Sequence, residues 1–140
     1  MITAVDSTVL IDVFTADRTY GRPSAAAVRD SLAHGRLVAC DAVWAEVTAV
    51  FDNQASAEQA LSQLGVGFSP LDSRAAARAG AWWREYRRDG GSRARVIADF
   101  LIAAHAAHHA DRLLTRDRGF FRGRFEGLEV FDPSTGGRTR

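Results

Sequence analysis

The sequence predicts an α/β fold, a mostly parallel sheet covered by helices on both faces. Short apolar runs alternate with helical patterns almost throughout the chain, the order that builds parallel sheets. The runs are uniformly apolar, as strands buried on both sides should be. A chain of 140 residues, 46% hydrophobic and 25% charged, is long enough for one core without covalent staples. The expected organisation is a single domain over 1–133 followed by a polar, frayed tail at 134–140.

The elements follow in order. Ile2–Val5 is a short apolar strand that stops at Asp6, and Ser7–Phe14 reads as a helical turn or two. After a polar connection at 17–22, Pro23 opens an alanine-rich helix over 23–34 that Gly35 closes. A second strand spans 37–40, and Asp41 is placed to cap a helix over 42–53. A helix over 56–64 ends at Gly65, and 66–69 is the third strand. Ser73 caps a long helix to about Arg88, broken by Asp89-Gly90-Gly91. A very apolar helix covers 96–110, and 112–115 and 128–131 are two further strands.

Composition excludes several classes. No apolar run approaches a membrane span. Met1 leads straight into the first strand without the basic-then-apolar pattern of a secretory leader, so a cytoplasmic protein is expected. The lone Cys40 leaves no internal disulfide framework and no cysteine-rich zinc site. A net charge of +1 does not by itself predict a nucleic-acid partner. All 18 basic residues are arginine, which fits either genomic base composition or the preference of phosphate for guanidinium forks.

Ligands of open α/β sheets bind beyond the carboxyl ends of the strands, near a switch in strand order. Asp6 ends the first strand and Asp117 follows the fourth, so both fall on that rim, although either alone reads equally well as a cap or turn residue. Asp99 is the one charge between Val96 and Ala104; there it needs a metal, a hydrogen bond or a partner such as Arg95 or Arg116. Glu46 borders the stripe Val43, Val47 and Val50, a second acid beside an apolar face. Four converging carboxylates would repel one another, and a divalent cation resolves the repulsion. Carboxylate oxygens without His or Cys favour magnesium or manganese, and such ions assist phosphodiester hydrolysis.

The motifs carry a resemblance. Asp6-Ser7-Thr8-Val9-Leu10-Ile11-Asp12, Ala45-Glu46-Val47, Ala98-Asp99-Phe100-Leu101-Ile102-Ala103-Ala104 and Leu113-Leu114-Thr115-Arg116-Asp117 resemble, in order and separation, the four motifs of PIN-domain proteins. The length is most similar to that of the VapC toxins. The resemblance implies a three-layer α/β/α sandwich and an Mg²⁺- or Mn²⁺-dependent endoribonuclease, the toxin of a type II toxin–antitoxin pair. It implies Asp6, Glu46, Asp99 and Asp117 as catalytic, metal-binding acids, with Thr8 and Thr115 supplying hydroxyls to a metal-bound water or a neighbouring carboxylate. An RNA substrate, a homodimer and a VapB-type antitoxin that blocks the site are implied with it. Asp12 is either an extra acid or a helix-end residue. The helix carrying Glu46 departs from the pattern in lacking small residues after the acid.

Arg116, Arg118, Arg122 and Arg124 surround Asp117, as a solvated loop or as phosphate contacts; Arg116 and Arg118 are the candidate RNA contacts. At about 100° per residue, His105, His108 and His109 point away from the direction of Asp99 and are expected on a partly exposed face. Trp82 and Tyr86 share a helix face with Ala75 and Ala79, a core stripe or a docking surface. Two competing readings are a PIN-like binding module without activity and a HAD-like phosphohydrolase. The second wants an Asp two residues after Asp6, where this chain has Thr8.

Overall fold

The computed structural model describes residues 1–133, so the expected tail at 134–140 lies outside the described residues. Five parallel strands form one sheet: β1 (Ile2–Val5), β2 (Arg36–Ala39), β3 (Val66–Phe68), β4 (Arg112–Leu114) and β5 (Val130–Phe131). Their order is β3-β2-β1-β4-β5. The chain therefore builds outward from β1 to one edge, then returns to the other side of β1 to lay down β4 and β5. The switch in direction falls between β1 and β4, whose registers pair Val5 with Leu114. Helices α1 (Ser7–Phe14), α2 (Gly21–Ala33), α3 (Asp41–Thr48), α4 (Gln54–Leu64), α5 (Ser73–Arg88), α6 (Ile97–His109) and the single turn α7 (Arg118–Phe121) complete the α/β/α sandwich. Val5, Leu10, Leu37, Leu113, Leu114 and Phe100 are fully buried at its centre. No helix among the described residues is long and apolar enough to cross a membrane.

The caps explain most boundary differences from the sequence reading. Asp72 accepts the Ala75 N–H at 2.9 Å and so caps α5 one residue before the expected Ser73. Asn53 caps α4 through the Ser56 N–H, so that helix begins earlier than expected. The expected helix over 42–53 stops at Thr48, whose hydroxyl bonds back to the Trp44 carbonyl at 2.7 Å. Val50 is consequently 47% exposed and not part of the apolar stripe. Asp41 does not cap α3; its carboxylate accepts the Leu71 N–H at 2.7 Å and pins the connection into α5. Gly65, at φ 93°, closes α4 in the left-handed conformation that glycine tolerates. At Gly35 a Cβ would overlap the Met1 carbonyl, whose oxygen takes the Arg36 N–H at the start of β2.

The core stripe of α5 is as expected: Ala75 and Ala79 are buried, Trp82 packs on Phe125 and Tyr86 on Phe100. Of the three histidines, His108 is exposed and His109 half-buried, as expected, but His105 is not. His105 is 1% exposed, hydrogen-bonded to the Ser69 hydroxyl at 2.8 Å, and does not lie on a partly exposed face. The 3.6-residue period places a side chain on a helix face; which neighbour covers that face is decided by the β3–α5 connection packing over α6. Burial, helped by His109, lowers the His105 pKa to about 4, against the opposing pull of Asp41 and Asp72. An imidazole whose folded pKa is depressed leaves the unfolded chain binding more protons between about 4 and 6.5, so stability is lost as pH falls through that window. Between pH 7 and pH 5 the wild type should lose about 1–2 kcal/mol from this source, and His105→Gln should lose clearly less. Urea midpoints of both proteins at the two pH values measure it; parallel losses would show that the ring charges freely in the fold.

Candidate functional site

Because β1 and β4 are adjacent and parallel, their carboxyl ends deliver Asp6 and Thr115 side by side at the switch point. The Asp6 N–H continues the ladder to the Leu114 carbonyl at 2.9 Å. The Thr115 hydroxyl donates to Asp6 Oδ2 at 2.8 Å and accepts the Asp117 N–H at 3.0 Å. One buried hydroxyl thus ties the first acid to the backbone of the last. Thr8 Oγ1 lies 3.4 Å from the same Asp6 oxygen. Asp6 stands at the N-cap of α1 but its side chain does not cap, so the carboxylate is spent on these contacts.

Glu46 reaches the site from α3. It is exposed, and its Oε1 accepts the Ser7 hydroxyl at 2.9 Å, while Ser7 also lies 3.5 Å from Asp6 Oδ1. Asp99, half-buried in the first turn of α6, accepts the Val96 N–H at 3.1 Å, where the positive end of the helix dipole favours a carboxylate. Asp117 takes the Arg95 guanidinium at 2.7 Å, and that guanidinium lies over the Phe120 ring at 4.0 Å. Arg95 was a sequence candidate as a partner for Asp99; the structure gives it to Asp117, with Asp99 felt only through its field. Ser7 was not singled out in the sequence, although a hydroxyl directly after the strand-end Asp6 was the available signal.

Burial raises the Asp6 pKa most, the Thr115 hydroxyl and the Ser7 N–H oppose the rise, and the charges of Glu46 and Asp99 add to it. The three acids therefore sense one another. Asp12 does not join them. It is buried, accepts Arg116 Nε at 2.8 Å and Nη2 at 3.2 Å along one edge of the guanidinium, and accepts the Ser24 hydroxyl at 3.0 Å, so its role is structural. Arg116 is thereby committed to an internal pair and stacks on Tyr20 at 4.1 Å. Arg118 reaches Asp132 at 3.2 Å and remains half exposed.

Among the described residues no three His, Cys, Asp or Glu side chains close around one point tightly enough to cage an ion. The donor set is all oxygen, and Asp6 bears the repulsion of two neighbouring carboxylates.

Comparison with curated proteins finds no match. Solved structures are similar over nearly the whole chain. A chain of VapBC-1 from nontypeable Haemophilus influenzae aligns with a TM-score of 0.73 at 21% identity, covering 96% of this chain and 99% of that one. A chain of the DNA-bound VapBC of Salmonella typhimurium gives 0.70 at 17%, covering 95% and 98%. A chain of FitAcB from Neisseria gonorrhoeae gives 0.66 at 24%, covering 96% and 99%. These likenesses bear on the fold. The sequence itself matches the PIN domain over residues 3–126, nearly the whole described chain, and the protein belongs to the PIN domain family.

Proposed function

We propose that the protein is an Mg²⁺- or Mn²⁺-dependent endoribonuclease and the toxin of a toxin–antitoxin pair, working in the cytoplasm as a homodimer restrained by a VapB-type antitoxin. The observation that carries the catalytic reading is Asp6: a carboxylate at the topological switch point, held by Thr115, and raised in pKa by burial and by Glu46 and Asp99. The toxin and antitoxin parts rest on the family and on the similarity to VapBC and FitAB chains.

In this reading Asp6 and Asp99 would hold the ion, with Glu46 and Asp117 completing the acidic wall. When bound, the ion would polarise the scissile phosphoryl group and lower the pKa of an attacking water. Thr115 keeps Asp6 Oδ2 fixed, so the carboxylate is set before substrate arrives. Glu46, exposed at the rim and oriented by Ser7, is the acid placed to take a proton from water. Arg95 holds Asp117 in place and lends positive charge to the phosphate side. Of the two candidate RNA contacts, half-exposed Arg118 is the one that meets the backbone, while Arg116 acts by bracing Asp12.

Purified protein should cleave single-stranded RNA with Mn²⁺ or Mg²⁺, and excess EDTA should abolish the cleavage. Robust cleavage in EDTA would remove the metal from the mechanism. Absence of cleavage with either ion, together with no measurable Mg²⁺ affinity, would leave an inactive docking module; hydrolysis of a generic aryl phosphate would point to a phosphohydrolase.

A further inference from the structure

Beside the acids, between the end of α5 and the loop into α6, runs a groove of about 400 Å³ lined by Trp83, Arg87, Gly91, Ser92, Arg93 and Arg95. One wall is Arg95, which also donates to Asp117 at 2.7 Å, so the groove borders the acidic wall. Its remaining cations are uncommitted: among the described residues neither Arg87 nor Arg93 has a carboxylate partner. The Arg87 guanidinium lies over the Trp83 ring, 4.4 Å from its centroid. Trp83 lies beside the Ala75–Ala79 stripe of α5, half-buried, packed against the edge of the core and stacked with Arg87.

The loop side of the groove is built rigidly. The Gly91 N–H bonds the Tyr86 carbonyl at 2.8 Å, and a Cβ at Gly91 would overlap the Tyr86 ring. The Ser92 N–H bonds the Tyr86 hydroxyl at 2.9 Å, and Tyr86 is wedged against Phe100 and Phe120. The glycine is needed there because the backbone lies directly on the ring. A pre-set loop pays little ordering entropy on binding.

We propose that this groove holds one nucleotide of a single-stranded RNA adjacent to the cleavage point, its base on the Trp83–Arg87 stack and its phosphate against Arg93. The inference rests on the ribonuclease reading and extends it to the substrate path. An indole under a guanidinium plane is matched by a flat base, which stacks on either surface whatever its identity. Unpaired arginines match phosphate, and a volume of about 400 Å³ lies within the range of small-ligand sites. An acidic peptide would satisfy the arginines but leave the aromatic plane without a counterpart. A paired base cannot reach such a stack, so the groove selects single strands.

The test is anisotropy of a fluorescein-labelled, 2′-O-methylated single-stranded octanucleotide of mixed sequence, alongside cleavage of the matching RNA. Trp83→Ala should weaken binding about 10-fold or more, and Trp83→Phe should keep most of it. Arg93→Ala should weaken binding and lower the salt slope by about one, while Arg84→Ala, on the same helix outside the groove, should change neither. If Trp83→Ala and Arg93→Ala bind and cleave as the wild type does, the groove proposal fails and the ribonuclease reading stands. If binding depends on Trp83 but the wild type cleaves under no metal, the groove stands and the ribonuclease reading fails. No binding by the wild type, or displacement of the oligonucleotide by polyglutamate at equal affinity, would overturn the groove as an RNA site.

Discussion

Asp6→Asn is expected to abolish RNA cleavage and, in the absence of metal, to raise the melting temperature. In the wild type, burial and the charges of Glu46 and Asp99 oppose ionisation of Asp6, so its folded pKa lies above the unfolded value. The folded state then binds more protons across that window, and stability falls as pH rises from the unfolded pKa through the folded one. The metal-free protein bears this cost wherever the pH lies above the unfolded pKa, and more of it as the pH rises. Asparagine removes the charge and keeps an oxygen for the Thr115 hydroxyl, so the cost disappears while the contact survives. With saturating Mg²⁺ the order should close or reverse, because an ion at 100 times its Kd stabilises only the protein that binds it, by about 2.7 kcal/mol. Activity should fall by more than about 100-fold, beyond what losing an outer partner of a metal ligand costs. Expressed without a partner in bacteria, the wild type should arrest growth and the variant should not. Melting curves in EDTA and in Mg²⁺ decide the matter: a variant less stable in EDTA, with Mg²⁺ still stabilising it as it does the wild type, would make Asp6 a structural hydrogen-bonding group and move the site elsewhere.

The largest stability loss is expected from Arg116→Ala. Asp12 is 3% exposed and its carboxylate is held in a bidentate pair by Nε and Nη2 of Arg116 and by the Ser24 hydroxyl. Removing the guanidinium strands a buried charge that Ser24 alone cannot satisfy. The side of the pair facing Tyr20 is partly open to water, so the loss should sit at the low end for a broken buried pair, about 3 kcal/mol. In a domain of this size that is roughly 10 °C of melting temperature. Replacing Asp12 as well should recover much of it, because the second change removes the stranded charge. If Arg116→Ala is as stable as the wild type but binds RNA poorly, the arginine serves the substrate and not the fold.

Some of this was legible in the chain itself. The alternation of apolar runs and helical patterns determined the α/β class. Uniformly apolar strands determined that both faces of the sheet are covered. Asp6 and Asp117, each just past a strand, were placed on the carboxyl rim by local order alone. The anomaly of a charge in the apolar start of α6 marked Asp99. Partnerships were not legible, because each joins residues far apart in sequence. The strand order β3-β2-β1-β4-β5 put Asp6 beside Thr115 across 109 positions. It also gave Arg116 to Asp12, which sequence left as either a site acid or a helix-end residue, and Arg95 to Asp117 where Asp99 was one candidate partner. The same limit hid the burial of His105 and the turn α7, whose Phe120 is held by packing against the distant Tyr86 and Phe100 and not by helix propensity. Periodicity and turn chemistry act over a few residues and write themselves into the sequence. Which carboxylate meets which guanidinium depends on how the sheet is assembled, and that is settled only when the whole chain has packed.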